Sequence, residues 1–311
     1  MSTPRLLLVL SENWTLASPR DLRGLVRLAA EAEQAGIDGV MLSEHVVLGG
    51  SAGELGVMTN PRDYAAPGNQ DPAMPWPSSL ILLGAIAQAT ESLRLVAGAV
   101  IAPLRHPLLL AKDLATLDVL SEGRLVALPT VSWHRDEYAA LGVPFEQRGR
   151  ILDEQLEVLQ ALWGPGPASH HGAFFDFDEV WLEPQPWRPE GPVLWFGGQG
   201  MHPALLRRIV RYGNGLNPFG PLSDEDLAQV RAAMSAAGRD PDELELVGGI
   251  RGTFTGPDDT AALDLALEAL PAQLAQGYST ICFKPSMFVD TAAEVGGFCR
   301  ELVRKVEAIA A

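Results

Sequence analysis

The chain has 311 residues, of which 47% are hydrophobic and 20% charged, and its 39 acidic residues outnumber 23 lysines and arginines, giving a net charge of −16. This length suits one large α/β barrel or two smaller domains, and the acidic surplus argues against a nucleic-acid partner. Two cysteines, Cys282 and Cys299, are too few for a disulfide framework, so a reduced cytoplasm is the expected location.

The apolar run near the start of the chain predicts a first strand. It is too short for a signal peptide or a membrane span, so we expect no membrane association. Short apolar runs and amphipathic segments then alternate to the end of the chain. The predicted strands are residues 5–10, 37–42, 93–101, 124–129, 193–196, 215–218, 245–254 and 280–283. The predicted helices are residues 19–36, 78–89, 107–118, 148–163, 203–212, 223–237, 258–275 and 291–310.

This alternation of about eight strands with helices predicts an α/β fold of the (β/α)8 TIM-barrel type. We expect residues 1–311 to form one domain. Two Gly- and Pro-rich insertions, at about 48–77 and 164–190, are predicted in the loops at the C-terminal ends of the strands, because structureless connections of this length are uncommon and are usually functional.

The third predicted strand is interrupted by the small residues Ala97-Gly98-Ala99, which Val100 follows. Bare or nearly bare Cα atoms suit a β-bulge, or a place where a flat ring lies against the backbone. The alternative is that they let a helix pack on the strand. Pro107 then predicts a helix start, where its missing N–H has no cost.

Right-handed crossovers place every strand-to-helix loop of such a barrel at one end, which is where TIM-barrel active sites lie. The residues expected there are Glu12-Asn13-Trp14, Glu44-His45, Arg105-His106, 130–134, 197–201, Asn217, Arg251 and Lys284. Of these, Arg105 and His106 also fit a purely structural role at the joint between strand and helix.

His45 directly follows the second predicted strand, with the acidic Glu44 beside it. An imidazole can donate or accept a proton near neutral pH, which makes His45 a candidate catalytic acid or base. A packed or surface histidine is the competing interpretation.

The stretch Gly197-Gly198-Gln199-Gly200-Met201 lies between a predicted strand and a predicted helix. Free backbone amides at such a turn can bind a phosphate, although a plain tight turn uses the same residues. Trp14 and Trp133 are candidates to stack on a ring, and are favoured over Trp76 because they directly follow strands. Polar candidates for hydrogen bonds to a cofactor, or for caps of the next helix, are Thr130, Ser132 and His134.

Several well-known motifs are absent from the sequence. No HExxH or CxxC spacing occurs, and the adjacent His170 and His171 would point to opposite sides of a hairpin, so no metal site is expected. The absence of GxSxG, and of GxGxxG after a strand, argues against a serine hydrolase and a Rossmann domain.

Four segments of the sequence resemble the bacterial-luciferase-like oxidoreductases, a TIM-barrel family that uses FMN or the deazaflavin F420. The segments occur in the same order as in that family. They are LRLVAGAVIAPLRHPLLLAKDLATLDVLSEGRL (93–125), DEYAALGVPFEQRGRILDEQLEVLQALW (136–163), the HG-FF-F-P-P succession (171–186) and PVLWFGG (192–198). Where many relatives carry GxGxGW after the fourth strand, this chain has LPTVSW at 128–133, so glycine contacts there do not carry over.

The resemblance implies that a flavin-type ring lies across the barrel mouth, that His45 faces its reactive edge and that the chain forms a homodimer. The residues implied or expected to bind the cofactor are Trp14, Ala99, Val100, Thr130, Ser132, Trp133, His134, Gly197, Gly198, Gln199, Gly200 and Met201. Segment 140–150, ALGVPFEQRGR, is most similar to the F420-dependent branch, so F420 is the preferred cofactor and FMN the alternative.

The leading hypothesis is hydride transfer between F420 and a small organic substrate of undetermined identity, with His45 handling the proton. The first alternative is an FMNH2-dependent monooxygenase supplied by a separate reductase. A Schiff-base aldolase using Lys284, or a non-catalytic flavin-binding barrel, would be a different class of protein.

Overall fold

The computed structural model describes residues 3–311, and its centre is a closed barrel of eight parallel strands in the order β1-β10-β9-β8-β7-β4-β3-β2. The strands are β1 (Arg5–Val9), β2 (Gly39–Leu42), β3 (Arg94–Ile101), β4 (Leu125–Thr130), β5 (Ala168–His171), β6 (Asp176–Val180), β7 (Val193–Phe196), β8 (Gly215–Leu216), β9 (Glu245–Gly249) and β10 (Tyr278–Phe283), of which β5 and β6 form a separate hairpin. The predicted (β/α)8 TIM barrel is therefore confirmed.

Helices between the strands cover the outside of the barrel. They are α1 (Leu22–Gln34), α2 (Ser79–Ala89), α3 (Pro107–Leu120), α4 (Arg135–Ala140), α5 (Arg148–Leu162), α6 (Pro203–Tyr212), α7 (Asp224–Ala236), α8 (Leu263–Leu267), α9 (Leu270–Gln276) and α10 (Val295–Ala310). Among residues 3–311, none of these helices is both long enough and apolar enough to cross a membrane.

The strands are almost continuously apolar because both of their faces are covered. Along β1, Leu7 and Val9 point into the barrel, where they meet side chains such as Trp195, and Leu6 and Leu8 point outward to the helices. Alternating orientation along a strand therefore divides one short apolar run between two cores.

Two predicted elements differ from the structure. The single helix expected over 258–275 is two short helices, α8 and α9, because Pro271 in the first turn of α9 cannot donate the hydrogen bond that would continue α8. The strand expected over 245–254 ends at Gly249, and the following apolar residues belong to a loop.

The interruption predicted in the third strand is present. The pairing of β3 with β4 shifts register between Gly98 and Val100, and the Gly98–Ala99 peptide is cis. A Cβ atom at Gly98 would lie 2.9 Å from Sδ of Met41 on β2, so a larger residue at this position would force the Met41 side chain to shift.

The insertions leave the barrel at different places. The first follows β2, as expected. The second follows α5 rather than a strand, and it contains the β5–β6 hairpin. The hairpin turn is tied to α5 by Glu154, whose carboxylate accepts hydrogen bonds from the amides of residues 173–175. This insertion thus begins at the C-terminal end of a helix, whereas both insertions were expected at the C-terminal ends of strands.

The N-terminal end of the barrel is closed by an ion pair. Arg94 donates two hydrogen bonds to Glu245, at 2.7 and 3.0 Å, and its guanidinium carbon lies 5.2 Å from the centroid of the Trp195 ring. Thr280 also donates to Glu245. Burial tends to raise the pKa of Glu245, but the bonds and charge of Arg94 outweigh burial and leave this pKa lowered.

A Glu245→Gln substitution is expected to reduce the free energy of unfolding at pH 7 by about 1–3 kcal/mol, because it removes the negative charge from a mostly buried ion pair and places an NH2 group where one acceptor oxygen was. A lowered folded-state pKa stabilises the fold above the ordinary glutamate pKa of about 4.3, and this contribution is lost as the pH falls further. Urea unfolding at pH 7 and about pH 3 should therefore show a difference from wild type that shrinks in acid. Glu243→Gln, at an exposed position, is the control. If the difference in unfolding free energy between Glu245→Gln and wild type did not change with pH, the stabilising role of the Glu245 charge would be contradicted.

Candidate active site

A group of aromatic rings surrounds His45 at the C-terminal end of the barrel. The ring of His45 lies edge-on to Trp76, Trp133 and His134, with centroid separations of 5.2, 5.8 and 6.2 Å, and Trp133 and His134 are 4.9 Å apart. His45 is only 9% exposed. The structure thus brings the sequence candidates from two loops together and adds Trp76, which had been placed second to Trp14 and Trp133.

Glu137 on α4 is the acidic partner of His45, and the sequence analysis missed it. Its fully buried carboxylate lies 3.2 Å from Nδ1 of His45, and it also accepts hydrogen bonds from the amides of Val46 and Val47. An acid in the first turn of α4 was the available signal, but acids are common there for helix-dipole reasons. Because the carboxylate accepts, Nδ1 of His45 carries a proton, which leaves Nε2 for chemistry.

Glu44, the sequence neighbour of His45, points elsewhere. Its carboxylate accepts two hydrogen bonds from Arg105, at 2.6 and 2.9 Å, one from the amide of Ile101 and one from the hydroxyl of Ser79. This ion pair joins the loops that follow β2 and β3. Arg105 is thus a structural residue, as the alternative interpretation of the sequence allowed.

His134 contacts the protein through the other ring nitrogen from His45, although both rings carry their proton on Nδ1. Its Nε2 accepts a hydrogen bond of 2.7 Å from the amide of Gly49, so Nδ1 carries the proton. Nδ1 is buried and has no hydrogen-bond partner within residues 3–311. Burial lowers the pKa of His134, so the ring is a neutral donor at pH 7.

The first insertion is fixed to the loop and helix after β4. Besides the bonds made by Glu137 and His134, Asp136 accepts hydrogen bonds from the amide and the hydroxyl of Ser51, at 3.2 and 2.8 Å. A Cβ atom at Gly49 would overlap the Asp136 carboxylate. Residues 46–51 therefore form a fixed border of the site beside His45.

The remaining predicted residues lie on the same arc or next to it. The site follows β2, the bulge at Ala99 and Val100 lies on β3, residues 130–134 end and follow β4, and residues 197–201 follow β7. These four strands are consecutive in the barrel. Thr130 is the last residue of β4, and Ser132 adopts a φ of 57°. Trp14 follows β1, the neighbour of β2.

The loop after β7 is shaped as a backbone turn before α6. A Cβ atom at Gly197 would lie 1.9 Å from the carbonyl oxygen of Asn217, so only glycine fits between the loops of β7 and β8. Gly200 adopts a φ of 76° with open space around it. In the described part of the chain, the amides of residues 198–200 donate no hydrogen bond to protein. Such amides can hold a phosphate group.

These features fit a flavin-type cofactor. Small residues at the bulge allow a ring to approach the strand, and the loop after β7 offers amides for a phosphate. Buried N–H groups on Trp14, Trp76 and His134 lack partners among residues 3–311, which is the arrangement expected where a bound molecule supplies the acceptors. Within the same residues there is no group of three or more His, Cys, Asp or Glu side chains arranged to hold a metal ion.

Lys284 is placed differently from a reactive lysine. It is fully buried after β10, and its ammonium group donates a hydrogen bond of 2.8 Å to the carbonyl of Asp63. Burial lowers its pKa, while the charges of Glu12 and Asp63 oppose that effect. A lysine enclosed and bonded in this way holds the insertion and is not accessible for a carbonyl substrate.

Known proteins share this architecture and sequence. The sequence profile of the family described as "Luciferase-like monooxygenase" matches residues 4–297. An uncharacterized protein of Mycobacterium tuberculosis is 36% identical over 223 residues, which are 65% of this chain and 76% of that protein. The FMNH2-dependent dimethylsulfone monooxygenase of Pseudomonas putida is 32% identical over 123 residues, 39% of this chain and 34% of that protein.

A solved structure extends the likeness of fold to the whole chain. The crystal structure of the monooxygenase RslO1 from Streptomyces bottropensis superposes with a TM-score of 0.74 at 21% identity, covering 99% of this chain and 100% of that one. The match of the family profile across nearly the entire barrel shows that this chain belongs to the luciferase-like monooxygenase family.

Proposed function

We propose that this protein is a flavin-dependent monooxygenase that acts on a small organic substrate at the C-terminal end of the barrel. The observation that carries the proposal is the position of His45, whose Nδ1 is bonded to the buried Glu137 beside the rings of Trp76 and Trp133. On consecutive strands of the same arc lie a bulge that admits a ring and a loop with unbonded amides.

FMN is the first candidate for the cofactor. The sequence resemblance favoured F420, whereas the related dimethylsulfone monooxygenase is named as FMNH2-dependent. A reduced flavin supplies the electrons with which dioxygen oxygenates an organic molecule, and a separate reductase would provide it in this form. Hydride transfer with F420 is the second candidate, which the resemblance of residues 140–150 favours.

The residues of this chain would divide the work between binding and proton handling. The amides of residues 198–200 would hold the phosphate of the cofactor, and the bulge in β3 would support its ring. Trp76 and Trp133 would exclude water from the reacting atoms. Nε2 of His45 would donate or accept the proton on the substrate oxygen, while Glu137 keeps the imidazole in one orientation and one tautomer.

Titration of the purified protein with FMN and with F420 tests the cofactor. We expect quenching of flavin fluorescence with micromolar affinity for FMN, followed by dioxygen-dependent turnover of a small substrate, such as dimethylsulfone, when a reductase and NADH are supplied. Binding of F420 with no binding of FMN would replace the first candidate with the second. Binding of neither cofactor would contradict the proposal.

We also propose that two copies associate through α2 and α3. α2 is apolar on nearly all sides and packs against α3, yet Ile81 on α2 is 78% exposed and Leu109 on α3 is 66% exposed. A helix with the composition of α2 is expected to be buried. Light scattering should give the mass of a dimer for the wild type and of a monomer for an Ile81→Glu/Leu109→Glu variant.

A further inference from the structure

The middle of the first insertion lies against loops at the mouth of the barrel that follow strands other than those of the candidate site. Asp63, Tyr64 and Ala65 are held by three loops that follow β1, β10 and β9. Glu12 after β1 accepts a hydrogen bond of 3.0 Å from the amide of Ala65, and Lys284 after β10 donates one of 2.8 Å to the carbonyl of Asp63. These three strands are adjacent in the barrel.

Side-chain bonds fix the same segment further. Arg251, after β9, forms an ion pair with the Asp63 carboxylate through two nitrogens, Nε to Oδ1 at 3.2 Å and Nη2 to Oδ2 at 3.0 Å. Arg62 donates to the carbonyls of Ser286 and Val289. The side-chain amide of Asn60 donates hydrogen bonds to two backbone carbonyls of the loop before α8. Bonds on both the backbone and the side chains make residues 60–65 a fixed wall, not a mobile lid.

Tyr64 is the residue that this wall places on the apolar interior of the barrel. Its ring packs on the apolar cluster of the barrel interior, together with Met41 and Ala99, and lies 5.3 Å from the ammonium group of Lys284. Met41 is the residue that contacts the bulge at Gly98. The ring of Tyr64 therefore faces the barrel interior from the segment that the loops after β1, β10 and β9 hold, and Met41 of β2 and Ala99 of β3 pack on the same interior cluster.

Charged groups around this space are already bonded within the protein, Glu12 and Lys284 to backbone groups and the others in ion pairs. Glu44 is bonded to Arg105, Asp63 to Arg251 and Glu137 to His45. Of the side chains left to contact a substrate, Tyr64, Trp76 and Trp133 are aromatic, and His45 and His134 each offer one ring nitrogen. A pocket with aromatic walls and few convergent polar groups suits an apolar ligand.

We propose that Tyr64 is a specificity-determining residue that limits the depth of the pocket, so that the enzyme accepts apolar substrates up to a fixed chain length. The position of the pocket rests on the proposed function. The binding experiment that tests the role of Tyr64 does not require that function. Binding should tighten about fourfold for each methylene that is buried, and should stop tightening once the chain meets the Tyr64 ring.

The test is calorimetric titration with 1-hexanol, 1-octanol, 1-decanol and 1-dodecanol, with and without FMN. In wild type, affinity should rise along the series and then level off. In Tyr64→Ala the affinity should continue to rise with chain length. The longest alcohol should bind the variant at least about tenfold more tightly than it binds wild type, because burial of two further methylenes is enough for that gain. Tyr64→Phe keeps the ring and should match wild type, as should Leu55→Ala at an exposed position of the same insertion.

Three results would overturn the proposal: an unchanged limit in Tyr64→Ala, a wild type with no limit, or the absence of alcohol binding in both. Thermal unfolding checks that the variants are folded, and Tyr64→Leu replaces Tyr64→Ala if the latter does not fold. A protein that binds no flavin but shows the extended limit in Tyr64→Ala would contradict the proposed function and support the wall. Normal flavin binding with an unchanged chain-length limit in Tyr64→Ala would support the proposed function and contradict the role of Tyr64.

Discussion

Replacing His45 with Ala is expected to lower kcat/KM by about 10²- to 10⁴-fold, which is the usual contribution of a positioned acid or base. The imidazole is bonded to Glu137 through Nδ1, so Nε2 is the atom that would exchange a proton with the substrate. FMN binding should remain within about threefold of wild type, because the amides and the bulge that would hold the cofactor are on other strands, and a difference of about 0.7 kcal/mol is small compared with the catalytic loss.

The measurement combines FMN titration with steady-state turnover of product under reductase supply. Dioxygen consumption should become uncoupled from product formation if the cofactor still binds. His171→Ala is the matched control, because this histidine lies on the exposed hairpin and bonds only to neighbouring aspartates there. Turnover of His45→Ala equal to wild type, with flavin bound, would instead favour a non-catalytic flavin-binding barrel.

Replacing Glu137 with Gln is expected to lower kcat by about 10²-fold or more while the fold is retained. The amide oxygen can still accept from Val46, but the NH2 group would then face His45, whose Nδ1 must become an acceptor. The proton moves to Nε2, and the ring presents the wrong tautomer to the substrate. In a comparable histidine–carboxylate pair the same change costs about 10⁴-fold.

The readouts are kcat, the dependence of kcat on pH and the ring nitrogen chemical shifts of His45, which report the tautomer directly. Asp136→Asn is the control: this carboxylate belongs to the residue before Glu137 on α4 and holds Ser51, but it does not bond to His45. A purely structural role for Glu137 predicts that both variants lose stability and that neither changes the tautomer or the pH profile. That result would contradict the assignment.

The fold was accessible from the sequence because its signals are local. Apolar runs of the barrel strands and the helices between them repeat along the chain, and the barrel rule then places His45, Trp133 and residues 197–201 at one end. The interruption at Gly98 was equally visible, because a glycine in an apolar strand has few other uses. Boundaries were less accurate where a proline or an apolar loop intervened, as in α8, α9 and the end of β9.

The sequence by itself determined that this chain forms a barrel and which loops meet at its mouth, because periodicity and turn residues act over a few positions. Only the tertiary structure decided which side chains touch there. His45 and Glu137 are 92 positions apart, and Lys284 and Asp63 are 221 apart. The Gly- and Pro-rich insertion after the second strand was predicted at the barrel mouth, but no local pattern states that Lys284 holds it or that Tyr64 packs on the barrel interior, because those contacts form only when the strands close into a ring and bring distant loops within hydrogen-bonding distance.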